Sequence, residues 1–391
     1  MTLRIAHLTD ERYPSDRAES QQIIKTADAL GGIGWDVHLI QPRAASRYFK
    51  SRAELKQELC QVYNVAGRFE VDDIHHIPGS DLRIEKPFHV VLGAMKAFMG
   101  KYDVVMTRNL MTLTVGTLLG LPMVYETHLA LPVTSPKVAR VVHWAVSRPN
   151  VLGMVTHSTY AAEAMRKQSS NPASIAAIPN GHDPRDFESV PEKADARLRI
   201  EMSDGKPLAV YTGGIGPNKG TGTLLDLAQD VPDVNILLIG GPHDAVTLLQ
   251  QEAAARGADN FTVLPHAPLV EVAKYLVAAD VLLLPPSAMP LLRSPGNTVL
   301  PMKVFSYLAA GRPILAPDLP DTAELLIHNH NSWRVTPDNR AAAAAGLRQV
   351  VNDEPLRARL SAQALDDATR YTWDARAKRI DRFVRERIEI V

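Results

Sequence analysis

The apolar residues of this chain fall into short unbroken runs, each followed by a polar loop and then by apolar positions at helical spacing. Residues 3–8 read as a buried strand, 9–18 as a polar loop, 19–30 as a helix closed by Gly31, Gly32 and Gly34, and 37–40 as a second strand. Two such strands need a crossover between them, so this opening predicts a βαβ unit and a parallel sheet. The rhythm continues through a strand at 104–107, a helix at 110–119 and a strand at 123–125. A short strand ends in the turn Pro179-Asn180-Gly181, and residues 183–205, rich in proline and charge, read as a domain boundary. Beyond it the pattern restarts, with strands at 208–212, 234–240, 261–264 and 280–285 and helices at 221–228, 245–256 and up to about residue 279. A polar loop from Ser294 then feeds a helix expected at 299–310, stopped by Gly311, and a buried strand at 314–316. Two α/β halves built alike are expected.

Length agrees, because 391 residues exceed what one hydrophobic core serves well. The 43 basic and 43 acidic residues cancel, which argues against a general nucleic-acid binder. A single cysteine, Cys60, excludes an intrachain disulfide and a Cys-rich zinc site, and is expected to pack as a small hydrophobe in a reducing compartment. The N-terminal apolar run is too short for a signal peptide, and no stretch reaches the length of a spanning helix. A cytoplasmic protein is expected.

In open parallel sheets ligands bind at the carboxyl ends of the strands. On that ground Asp10, Arg12, Arg17, Arg108 and Asn109 are ligand-site candidates in the first half, with Glu126 and His128 beside them. His128 follows a strand directly, and a packed loop histidine and a site histidine remain open for it. His75 and His76 are adjacent and point apart on either kind of element, so no metal site is expected. Residues 136–148 form an amphipathic pattern carrying Lys137, Arg140 and Arg148. Domain packing explains it, or, with Arg43, Arg47, Lys50 and Arg52, a basic surface for anionic headgroups or a phosphorylated acceptor.

In the second half, Gly213, Gly214, Gly216 and Gly220 let backbone approach a ligand, and Lys219 places a charge just before a helix. The Gly241 and His266 loops and the loop bearing Arg293, Ser294, Pro295, Gly296 and Asn297 share that edge. Arg293 is either solvated or a bidentate phosphate contact. Thr298, Val299 and Leu300 fall at the expected helix start, whose free N–H groups suit an anion.

Five motifs in order, PNGHD at 179–183, YTGGIGPNKG at 211–220, LLIGGP at 237–242, AADVLLLPPS at 278–287 and PMKVFSYLAAGRPILA at 301–316, resemble the retaining GT-B glycosyltransferases of family 4. A YTW at 371–373 before a last helix adds to the likeness, which covers nearly the full chain. The resemblance implies two Rossmann-like doubly wound domains facing a cleft. An acceptor domain would span 1–185, a nucleotide-sugar donor domain 186–370, and a terminal helix at 371–391 would cross back to the first. It implies metal-independent transfer with retention, by same-face attack, from a nucleotide diphosphate sugar to a glycan, lipid-linked or small-molecule acceptor. Cell-surface or exopolysaccharide synthesis is the implied setting, in a cytoplasm that allows peripheral contact at the inner membrane face. Lys219 matches the family's phosphate-binding lysine, and His128 falls where the family places a histidine near the donor sugar.

The chain also departs from the pattern. Two glutamates eight positions apart are usual, and Thr298 and Ser306 stand in their places. Thr298 can hydrogen-bond a sugar hydroxyl, whereas Ser306 is too short for a ribose clamp. Gly214 replaces a common arginine, with Arg293 the candidate substitute. These losses keep two alternatives open: a catalytically degenerate GT-B protein that binds nucleotide or a partner transferase, and a nucleotide-sugar epimerase.

Overall fold

The computed structural model describes residues 2–15, 17–43, 47–74, 85–202, 204–216, 219–288 and 300–389, without the side chains of Glu85 and Val270. The chain divides into two compact units, residues 1–180 with 373–391, and residues 181–372.

Unit one runs β1 (Arg4–Leu8), α1 (Ala18–Gly32), β2 (Asp36–Pro42), α2 (Arg52–Tyr63), β3 (Glu70–Ile74), α3 (Glu85–Gly100) and β4 (Val104–Thr107). It continues through α4 (Leu110–Leu118), β5 (Met123–Thr127), α5 (Leu131–Thr134), α6 (Pro136–Val146), β6 (Val151–Thr156), α7 (Thr159–Arg166) and β7 (Ile175–Ala177). All seven strands pair in parallel, in the order β3-β2-β1-β4-β5-β6-β7. The direction of winding reverses between β1 and β4, so the loops leaving those two strands diverge and open a crevice there. β4, β5 and β6 are buried along their whole length, which is why β4 and the first three residues of β5 read as apolar runs.

Edge strand β3 is different, since Asp72 and Asp73 lie within it. Both are paired. Asp73 holds Arg43 and, at 3.3 Å, Arg52, while Asp72 takes His38 at 2.9 Å and Lys96 at 3.2 Å. Arg47 and Lys50 pair with Glu58 at 2.9 and 3.1 Å. The basic surface expected from Arg43, Arg47, Lys50 and Arg52 is thereby corrected: each of the four cations has a carboxylate of its own unit beside it.

Unit two holds α8 (Lys193–Arg199), β8 (Leu208–Thr212), α9 (Thr221–Asp230), β9 (Asn235–Ile239), α10 (His243–Ala255), β10 (Phe261–Leu264), α11 (Leu269–Ala278) and β11 (Val281–Leu283). After these come α12 (Lys303–Ala309), β12 (Ile314–Pro317), β13 (Trp333–Val335), α13 (Arg340–Asn352) and α14 (Glu354–Ala368). Its six parallel strands are ordered β10-β9-β8-β11-β12-β13, and the reversal falls between β8 and β11. Apolar cores fill both faces of this sheet.

The last helix, α15 (Trp373–Ile388), belongs to unit one and packs on α1. Trp35 donates its indole N–H to Asp381 at 2.7 Å, and Phe383 lies against the Gly153 backbone of β6.

Candidate active site

In unit one the crevice between β1 and β4 is bounded by the loop after Leu8 and by Arg108 and Asn109. Arg108 is held on three sides. It donates to Gln22 of α1 at 2.9 Å and to His128 Nδ1 at 2.7 Å, and its Nε lies 3.3 Å from Glu19. A guanidinium only donates, so Nδ1 of His128 accepts and the ring proton sits on Nε2. Burial, the Arg108 charge and the His157 ring push His128 down to about 3, so the imidazole is neutral at physiological pH. Its one remaining donor is Nε2–H, which suits a hydrogen bond to a sugar hydroxyl or oxygen.

Behind His128 lies a buried polar network. Glu126, on β5, accepts from Gln22 at 2.9 Å and from His157 Nε2 at 2.7 Å, and it pairs with Arg376 of α15. Arg376 also donates to the carbonyls of Ile178 and Pro179, locking the chain end of unit one to its terminal helix. The neighbouring cations, Arg376 foremost, hold Glu126 well below the usual carboxylate range despite its burial. His7 and His157 are both pushed to about 4, in each case chiefly by burial. Glu126 is thus the hub that fixes Gln22 and His157, and its partners Gln22, His157 and Arg376 were all missed by sequence reasoning. Nothing in a sequence separation of 250 residues signals the pair of Glu126 and Arg376.

The remaining first-half candidates have local work. Asp10 pairs with Lys86 at 2.9 Å and Arg17 with Glu11 at 2.7 Å. Asn109 caps α4, its side-chain oxygen accepting from the Thr112 N–H at 2.9 Å. Arg12 lies on the loop after β1 and is half-buried.

In unit two, backbone bonds stitch the carboxyl-end loops together. Gly213 N–H reaches the Ile239 carbonyl at 2.8 Å, Gly240 N–H the Leu264 carbonyl at 3.0 Å, and His266 N–H the Gly241 carbonyl at 3.2 Å. Gly213, Gly214, Gly216, Lys219, Gly241 and His266 therefore share one edge of the sheet. His266 is exposed. Lys219 is exposed as well, and its aliphatic stem covers Gly214, where an added Cβ would lie 3.5 Å from its Cε.

Helix α12 starts later than expected, at Lys303 rather than 299. Pro301 is the reason: proline disfavours helical backbone in the residue before it, and its carbonyl accepts from Val304 N–H to open the first turn. The helix start therefore lies at Lys303 and not at the 299 expected from the apolar spacing. Arg293, Ser294, Gly296, Asn297, Thr298 and Val299 all lie outside the described residues. Leu300 is buried in the unit-two core, so of this donor-binding candidate only the backbone is left for a ligand. Ser306 is half-buried on α12, with no hydrogen bond from its hydroxyl among the described residues.

Lys303 was not anticipated. Its ammonium sits 3.8 Å from the centroid of the Tyr211 ring, and an added Cβ at Gly213 would lie 2.5 Å from Nζ. Burial and the charge of Lys219 push its amine down to about 7. Tyr307, four residues on, accepts from Thr212 N–H at 2.9 Å and so ties α12 to β8. A lysine in register with a buried tyrosine at i, i+4 was the available signal, since that spacing puts both on the inward face.

Residues 193–367, all within unit two, match the family described as glycosyl transferases group 1. Over 94% of its length the chain is 25% identical to the D-inositol 3-phosphate glycosyltransferase of Thermobispora bispora, covering 90% of that protein. It is 27% identical to the protein of the same name from Stackebrandtia nassauensis over 63% of this chain, which spans only 56% of that relative. Among solved structures, Anabaena HepE in complex with UDP-glucose superimposes with a TM-score of 0.74 at 17% identity, over 98% of this chain and 100% of that one. The fold is GT-B, with two Rossmann-like α/β domains. With the matched region, it supports a glycosyltransferase.

Proposed function

We propose that this protein is a retaining, metal-independent glycosyltransferase of family 4 that moves a sugar from a nucleotide diphosphate sugar to an acceptor in bacterial cell-surface or exopolysaccharide glycan synthesis. The observation that carries the proposal is the Lys219 loop at the switch point of unit two, inside the region matched to group 1 transferases. HepE was solved with UDP-glucose, which favours a nucleotide-sugar donor here. As the glycosidic bond breaks, charge accumulates on the leaving diphosphate, and Lys219 is assigned to stabilise it. The acceptor hydroxyl attacks from the same face and passes its proton to the leaving phosphate. His128, with Nε2–H as its donor, is assigned to orient the donor sugar. Arg293, Ser294, Gly296, Asn297 and Thr298 remain assigned to the donor. A peripheral membrane contact is assigned to α3, α4 and α6.

A second reading, a degenerate GT-B protein that binds nucleotide without turnover, is favoured by Ser306, which puts a short hydroxyl where the family has a ribose-binding carboxylate. Thermal shifts with UDP, GDP, ADP, CMP and dTDP separate the two, since a ligand that binds only the folded state raises the melting temperature. One nucleotide diphosphate should stabilise the protein, its sugar conjugate should be slowly hydrolysed, and Lys219→Ala should lower that hydrolysis by roughly a hundredfold or more. Nucleotide binding without hydrolysis or transfer would favour the degenerate reading, and no shift with any nucleotide would sink both.

A further inference from the structure

Two lysines face each other across the Gly213-Gly214 turn of unit two. Lys219 lies over Gly214 and Lys303 Nζ occupies the space a side chain at Gly213 would fill. Neither makes an ion pair or a hydrogen bond through its side chain among the described residues. The undescribed residues of unit two, Ser203, Pro217, Asn218 and 289–299, contain no aspartate or glutamate, so none of them supplies a carboxylate to this pair. Within unit two, folding thus brings two like charges together without an acid between them. Tyr211 beneath Lys303 offers only its ring face, because its hydroxyl donates to the Gly214 carbonyl at 2.9 Å.

We infer that Lys303 and Lys219 together form a pyrophosphate site in which Lys303 stands in for the arginine absent at Gly214, and that a bound diphosphate is accompanied by uptake of a proton on Lys303. The inference rests on the nucleotide-sugar reading for the identity of the anion, and on the two lysines for the site. Among the described residues, the charged or titratable groups that face Lys303 are Lys219, from the loop before α9, and Tyr211, from β8, with Tyr307 one turn along α12. Both phenols are raised by burial, Tyr307 to about 12, and stay neutral through the working range. Burial first and then the charge of Lys219, the charged group among the described residues that bears on it, push the Lys303 amine to about 7. At pH 8 such an amine is roughly nine-tenths neutral. A dianionic phosphate group beside it favours the ammonium, so binding draws in a proton and weakens as pH rises.

Isothermal titration of the full chain with UDP, GDP, ADP and inorganic pyrophosphate, at pH 8 in Tris and in HEPES, measures both affinity and protons exchanged. Wild type should take up close to one proton per diphosphate, with affinity falling toward tenfold per pH unit between about 7.5 and 9. Lys303→Met should bind at least tenfold more weakly with no proton uptake, and its thermal melt shows that it is folded. Lys303→Arg, charged throughout, should keep affinity within a few-fold of wild type while losing the uptake. Wild-type binding without proton uptake, or a Met variant that matches wild type, overturns the inference and leaves the transferase reading standing. Pyrophosphate bound without any nucleotide keeps the anion site and fells the transferase reading. No binding by any probe fells both.

Discussion

At the scale of single residues, the buried histidines of unit one make stability depend on pH. His7 and His157 are held at about 4 and His128 at about 3, against an unfolded value near 6.5. A depressed histidine binds its proton less readily when folded than when unfolded, so unfolding takes up protons as pH falls below about 6.5. Stability is full above that value and is lost as pH drops toward 4. Each such group contributes a slope of about 1.4 kcal/mol per pH unit, and three together approach about 4. Urea unfolding followed at pH 7.5, 6 and 5 should show a midpoint that falls steeply over the lower interval. His7→Leu, which removes one such group, should flatten the dependence by about a third. A midpoint unchanged between pH 7.5 and 5 would show that these rings are not held neutral. None of this was legible in the sequence, where His7 is one more residue in an apolar strand and His128 can be read two ways. Its neutrality comes from Arg108, twenty positions away, and from burial that only the assembled sheet creates.

At the scale of elements, ten of the thirteen strands described and about half of the helices were legible, because a parallel strand buried on both faces is an unbroken apolar run; β6 and β13 were not read. Edge strand β3 was not, since its Asp72 and Asp73 look unlike a strand until Arg43, Arg52, His38 and Lys96 are placed around them. The start of α12 was misjudged for a local reason, because Pro301 outweighs the apolar spacing that begins at Val299. The glycines of the β8 loop looked equivalent in sequence and are not. Gly213 has φ of 139° and Lys303 Nζ at the site of its missing Cβ, whereas Gly214 is not left-handed and has ordinary room. Gly213→Ala should therefore destabilise the protein by about 1–3 kcal/mol and weaken nucleotide binding, since the Cβ displaces the lysine. Gly214→Ala should stay within about 0.5 kcal/mol of wild type. Equal losses in chemical denaturation would mean that Lys303 does not hold the position described for it.

At the scale of the whole molecule, a net charge of zero conceals an uneven distribution. Between residues 86 and 150 there are seven basic residues and two acidic ones, Asp103 and Glu126. Asp103 is turned inward to the Arg4 N–H, and Glu126 is buried. Along the same stretch α3, α4 and α6 lie side by side. The outward positions of α3 are Phe88, Val91, Leu92, Met95, Phe98 and Met99, all exposed, and Met111 and Leu118 continue the apolar face on α4. An exposed apolar face of this extent is ordinarily covered. No helix among the described residues is long and apolar enough to cross a membrane; in the peripheral contact proposed above, α3 lies in the plane of a lipid surface. In that proposal the charge on its flank selects an anionic lipid: Lys101, Lys137 and Arg140 make no ion pair among the described residues, and the Arg148 guanidinium lies 5.2 Å from the centroid of the Trp144 ring. The full chain should float with vesicles of phosphatidylcholine and phosphatidylglycerol and not with phosphatidylcholine alone, and raised salt should release it. Phe98→Ser with Met99→Ser should abolish flotation. Lys137→Glu with Arg140→Glu should weaken it roughly tenfold or more. Because these positions are exposed, all four changes should leave the melting temperature near that of wild type. If wild type stays with the lipid-free fraction at low salt, or if the apolar substitutions break a dimer instead, the face is covered by protein and the membrane assignment fails.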